Sequence, residues 1–221
     1  PGDAASLARM VDGYLDRAAQ SQAAAPTGQI VGLLAPHAGI IYSGPVAAYA
    51  FHWLRGLAVD VVAILCPSHF HDDGPLLTSA HAAYETPLGT VPVDQPAVSR
   101  VRAALAEALH LPAELALAAI RHDREHAIEI ELPFLQRVLA PGFRLLPLMF
   151  RDQTAPVARA AAEALAAALA CPPPGSDAAP HALHPAGQAD RRRSLVIASS
   201  DLSHYQPQPI ALRLDQELLR Q

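Results

Sequence analysis

Three short apolar runs, residues 30–35, 59–66 and 195–198, all rich in Val, Ile and Leu, dictate most of what this chain can fold into. Each is bounded by turn residues, the pattern of a strand buried on both faces of a parallel sheet. Each also leads directly into a histidine motif: Pro36-His37-Ala38-Gly39, Pro67-Ser68-His69 and Ser199-Ser200-Asp201-Leu202-Ser203-His204. Polar side chains at the carboxyl ends of such strands converge on the crevice where open α/β sheets bind ligands. Three such motifs in one chain predict a site.

The intervening segments read as helices and shorter strands. Asp3 is placed to cap a helix running to about Gln20, with Leu7, Met10, Val11, Tyr14 and Leu15 on one face. Ser43-Gly44-Pro45 predicts the start of a second helix, because proline suits a first turn, and Gly56 ends it. Residues 76–80 and 90–93 are strand candidates around Thr86-Pro87-Leu88-Gly89, and 98–109 is a helix by composition and period. A helix over 125–139 contains Pro133, which predicts a kink or a late start. Residues 143–150 read as a strand, 157–169 as an alanine-rich helix, and a last helix begins near Pro209. Residues 171–190, dense in proline, glycine and small residues, read as a mobile surface loop in which His181 and His184 are exposed and idle. This alternation predicts a single three-layer α/β domain over 1–221, with a central mixed, mostly parallel sheet.

Composition removes several function classes. A chain of 221 residues, 51% hydrophobic and 17% charged, suits one large α/β domain. No apolar stretch approaches a bilayer span, and no signal peptide is visible in the sequence from Pro1-Gly2-Asp3 onward. Net charge −5 gives no footprint for nucleic acid, and Arg191-Arg192-Arg193 reads as a solvated loop end. Cys66 and Cys171 form no metal or redox spacing, so a reducing, cytoplasmic setting is expected. All 16 basic residues are arginine. Without lysine, Schiff-base chemistry and a Walker-type phosphate loop are excluded within this chain. A Gly-x-Gly-x-x-Gly fingerprint is missing too.

Histidine, with 11 residues, is the over-supplied reactive group. Neutral imidazole is a ligand for iron, zinc and copper, and a rigid sheet holding His37 and His69 on adjacent strand ends favours metal binding by that pair. Asp201 and His204 are candidates for a ligand, for orienting an imidazole, or for acid/base work, unless Asp201 merely caps the following helix. In Glu125-His126-Ala127-Ile128-Glu129, both carboxylates suit a helix start, while His126 is placed to enter the same crevice. Ser68 beside His69 and Ser200 beside Asp201 raise a serine nucleophile, which the lack of a Gly-x-Ser-x-Gly elbow weakens.

These motifs, together with Tyr42-Ser43-Gly44, Thr86-Pro87-Leu88-Gly89, Val93-Asp94 and Leu132-Pro133, resemble the Memo family, also known as AmmeMemoRadiSam system protein B. The resemblance implies a fold similar to the catalytic subunit of class III extradiol dioxygenases. It implies metal ligation by His37 and His69 and by a cysteine near the C-terminus, a position that neither Cys66 nor Cys171 matches. His126, Asp201 and His204 are implied as pocket residues, and the family's segments at both ends are expected to lie outside these 221 residues.

The expected function is therefore that of a Memo-like metal-binding protein with a divalent or redox ion (iron, copper or zinc). As an enzyme it would be a non-haem metal oxidoreductase of dioxygenase-like fold, with His126, Asp201 and His204 as catalytic residues. A non-enzymatic protein binding a metal, small ligand or peptide and a metal-dependent hydrolase are the alternatives. Expected partners are a small molecule or peptide in the crevice and, through the resemblance, a radical SAM protein and an AMMECR-type protein; nucleic acid and membrane are not.

Overall fold

A computed structural model describes residues 2–21, 24–70, 74–122, 124–170 and 193–220. The strands are β1 (Gly32–Ala35), β2 (Val61–Pro67), β3 (Leu76–Ser79), β4 (Ala83–Thr86), β5 (Gly89–Pro92), β6 (Leu117–Ile120), β7 (Arg144–Phe150) and β8 (Ser194–Ser199). The helices are α1 (Ala4–Ala19), α2 (Ile40–Phe51), α3 (Gln95–Leu109), α4 (Ala113–Ala116), α5 (Ala127–Val138), α6 (Ala155–Ala170) and α7 (Gln208–Leu218). No helix among the described residues is long and apolar enough to cross a membrane. The loop expected over 171–190 lies outside the described residues.

Six strands form one sheet in the order β1-β8-β2-β7-β3-β6, parallel throughout except where β3 meets β7. Strands β2 and β7 sit at its centre, and most of the side chains they carry are buried on one face or the other. That two-sided burial is why they read as continuous apolar runs. Helices α1, α2 and α5 pack together as one layer, and α3 and α6 as another, with the sheet between them. Within the first layer Phe51 of α2 stacks on Phe134 of α5, ring centres 5.1 Å apart.

Gly44 lets α2 approach α1. A Cβ there would stand 2.8 Å from the Tyr14 ring, closer than side chains tolerate, and 3.4 Å from Phe134. Asp3 caps α1 through the Ser6 amide, and Asp94 caps α3 through the Ala97 amide.

Several expectations need correction. Strand β8 lies between β1 and β2, pairing with both, so the strands ahead of His37 and His69 are not neighbours. Helix α2 starts at Ile40, not at Ser43, because the Gly39 carbonyl already accepts from the Tyr42 and Ser43 amides. Pro45 then falls inside the helix on its exposed face, where water can satisfy the carbonyl it leaves unpaired. Helix α5 spans Ala127–Val138 with Pro133 inside it, so it does not start late. Strands β4 and β6 were not expected: β4 forms a separate antiparallel hairpin with β5, and β6 closes the far edge of the main sheet.

Candidate metal centre

His37 follows β1, His69 follows β2, and Ser199 to His204 follow β8, the strand between them. The crevice therefore gathers at the carboxyl ends of three adjacent parallel strands. Helix α5, which packs on β2 and β8, brings His126 to the same place as its N-cap residue. The ring centres of His37 and His69 are 5.5 Å apart, those of His69 and His126 5.1 Å, and those of His37 and His126 6.1 Å. Three imidazoles from three segments meet.

Each ring turns Nδ1 toward a polar group. His69 Nδ1 lies 2.9 and 3.0 Å from the two oxygens of Glu125, and His37 Nδ1 lies 2.9 Å from Ser199 Oγ. His126 Nδ1 is 3.5 Å from Glu125 Oε1. The Glu125 carboxylate can only accept, so His69 donates through Nδ1 and keeps its lone pair on Nε2. The Ser199 hydroxyl, in contrast, can donate or accept, and the His37 tautomer follows it. Among the described residues, the donor atoms within 4.8 Å of one another belong to His69, Glu125 and His126. Glu125, however, is already consumed. It is buried and accepts from the amides of His69, His126 and Ala127 as well as from the His69 ring. Its carboxylate anchors two imidazoles and is poorly placed to ligate.

Electrostatics favour the neutral form of His37. Burial pushes the His37 imidazole below its ordinary value; Asp201 opposes that shift, and the neighbouring His69 and His126 add to it. Burial alone would raise the Glu125 carboxyl, but hydrogen bonds from His69 and Ala127 outweigh it and hold the group low. Glu125 thus stays ionised beside the His69 ring.

Asp201 does not cap the following helix. Its Oδ1 accepts from the amides of His37 (2.6 Å) and Ala38 (3.0 Å), pinning the turn after β1. Its Oδ2 lies 3.4 Å from His204 Nε2, and His204 Nδ1 donates to the Leu202 carbonyl. His204 is half exposed and borders a cavity of about 540 Å³, together with Asp201, Pro36, Ala38, Tyr42 and Val46. The structure brings His37, His69, His126 and Asp201 together, and leaves His204 on the rim. Ser68, a serine-nucleophile candidate, has its Oγ buried without a hydrogen-bond partner among the described residues.

Three participants escaped sequence reasoning: Glu125 as the partner of His69, Ser199 as the partner of His37, and the buried Glu131. Glu131 did leave a trace. With Ile128, Leu132 and Leu135 it completes an i, i+3, i+4, i+7 apolar face, on which a carboxylate is out of place.

A three-layer α/β fold with a crevice of imidazoles at its strand ends defines the class of protein. The model of the Memo family, described as Memo-like protein, matches residues 1–174. Among curated relatives, MEMO1 family proteins of Nitrosopumilus maritimus and Thermotoga maritima are 30% and 36% identical over 190 residues, each match covering 86% of this chain and 59% of the relative. One from Methanothermobacter thermautotrophicus is 34% identical over 193 residues, with 86% and 60% covered. The chain belongs to the Memo family. Its match spans about three-fifths of the length of these relatives.

Proposed function

We propose that this chain forms a mononuclear metal centre with His37, His69 and His126 as nitrogen ligands. The observation that carries the reading is the convergence of three rings, each with Nδ1 turned to an oxygen, which leaves Nε2 as the nitrogen to ligate. Three imidazoles around one ion at nitrogen–metal distances of about 2.0–2.1 Å place ring centres roughly 5 Å apart. His69 and His126 stand at that spacing, and His37 is slightly wide of it. His126, expected from sequence to move protons, is as near to His69 as His37 is and so joins the ligand set.

A bound ion supplies Lewis acidity and, if it is copper or iron, electron exchange with oxygen. The chain's own groups do the rest. Asp201 holds the His37 turn in place, and His204, beside the cavity, moves protons to or from a small molecule or peptide lodged against Tyr42 and Val46. The reading is a metal-dependent oxidoreductase acting on such a ligand. Family membership supports the further proposal that it works beside a radical SAM protein and an AMMECR-type protein. A second reading, metal-assisted hydrolysis with zinc, is favoured by the all-nitrogen set, since Glu125 is committed to hydrogen bonds and the two-histidine-one-carboxylate arrangement of non-haem iron is not made.

Metal analysis of the purified wild type and of His37→Ala, His69→Ala and His126→Ala tests the centre. Stoichiometric metal in the wild type, lost in all three variants, is expected; equal, near-zero metal in every protein would sink it. Turnover that requires oxygen selects the oxidoreductase, and turnover with zinc alone selects the hydrolase.

A further inference from the structure

Behind His37 a file of three groups runs into the core. Ser199 Oγ lies 2.9 Å from His37 Nδ1 and 2.5 Å from Glu131 Oε1. Glu131 is fully buried, and its Oε2 has no hydrogen-bond partner among the described residues. A serine hydroxyl carries one proton, so Ser199 can donate to only one of its two neighbours. When Glu131 is ionised it accepts that hydrogen bond. Ser199 Oγ then accepts from His37 Nδ1–H, and His37 Nε2 keeps its lone pair. When Glu131 is a neutral acid its proton belongs on Oε1, because Oε2 has no acceptor to donate to. Ser199 must then donate to His37 Nδ1, and the ring proton sits on Nε2, the atom a metal needs.

We propose that Glu131 is a positioning residue that sets the tautomer of His37 through Ser199, so that loading the metal centre expels the Glu131 carboxyl proton. The inference rests on His37 being a ligand. The balance is simple: the acid form holds a carboxyl, a hydroxyl and a ring proton, and the loaded form holds a hydroxyl and an Nδ1 proton. One proton leaves for solvent, with no change of oxidation state. The charged and titratable groups that reach Glu131 are Asp201 and, through Ser199, His37. Burial, with the Asp201 charge adding to it against the Ser199 hydrogen bond, pushes the Glu131 carboxyl up to about 8. The metal-free protein at neutral pH therefore starts in the acid form.

The test is zinc titration at pH 7 by calorimetry in buffers of different ionisation enthalpy, with wild type, Glu131→Gln and Ser199→Ala. Protons shed by the other histidines are common to all three proteins and cancel. The wild type is expected to release about one proton per zinc more than either variant. Ser199→Ala decides the matter if Glu131→Gln fails to fold, and equal release overturns the proposal. Two readouts need no metal. The zinc-free wild type at pH 7 should show a carboxylic-acid carbonyl band in the infrared that Glu131→Gln lacks. Its His37 should carry the Nε2 proton by nitrogen-15 NMR. A wild type that binds no zinc overturns the metal centre, and a missing acid band or an Nδ1–H tautomer overturns the relay.

Discussion

Asp201 and His37 are 164 residues apart in sequence, yet the Asp201 carboxylate accepts the His37 amide at 2.6 Å. The bond joins the end of β8 to the turn after β1, and the same oxygen takes the Ala38 amide. Removing it leaves two partly buried amides without their acceptor. Asp201→Ala is expected to lose about 1–3 kcal/mol of stability, and Asp201→Asn less because the amide oxygen still accepts. Urea unfolding of both variants measures the difference, and equal stability of Asp201→Ala and wild type would show that the turn holds without the carboxylate.

Glu125 orients His69 and contacts His126 from behind. Glu125→Ala frees both rings to rotate, so metal affinity is expected to fall by about 10–100-fold. Glu125→Gln keeps acceptor capacity on one atom and should fall less. Competition titration against a chelator measures both, and unchanged affinity in Glu125→Ala would remove Glu125 from the centre.

Glu131 makes stability depend on pH in the direction opposite to most carboxylates. Its folded-state carboxyl, at about 8, lies above the ordinary 4.5. Between those values the native state holds a proton that the unfolded state has lost, so stability falls as pH rises through the window and levels off above it. Glu131→Gln removes this dependence. The stability of the metal-free variant relative to wild type should grow between pH 4.5 and 8, by an amount on the order of a few kcal/mol. Parallel stability–pH curves would contradict the assignment.

Gly44 marks the closest approach of α1 and α2. Gly44→Ala places a methyl group against the Tyr14 ring, and a loss of about 1–3 kcal/mol is expected. Combining it with Tyr14→Ala removes the clash, so the second substitution should cost less in the Gly44→Ala background than in the wild type. Thermal unfolding of the four proteins of the cycle reads the coupling.

The strand preceding His69 was legible because burial on both faces leaves a run of branched apolar residues. Strands β1 and β8 carry similar runs, although β1 is largely exposed and β8 alternates between buried and more open positions. Helix α1 was legible from its cap and period. Strand β6, Leu117-Ala-Ala-Ile120, was not, because two alanines carry little strand preference and it forms through pairing with β3. The start of α2 was misplaced because proline at a first turn is a preference that the Gly39 carbonyl overrode by receiving two amides earlier in the chain.

The sequence by itself determined the alternation of strands and helices, the placing of His37, His69 and Asp201 at strand ends, and the entry of His126 at a helix start. These follow from local rules of period, burial and turn chemistry, which neighbouring residues record. Only the tertiary structure decided that β8 lies between β1 and β2, and with that order came the bonds of Asp201 and Ser199 to the His37 turn. Likewise, only the packing of α5 gave Glu125 to His69 and sealed Glu131 behind Ser199. Strand order and cross-chain hydrogen bonds are chosen by which surfaces bury best against one another, a choice made between residues too distant in sequence for local pattern to register.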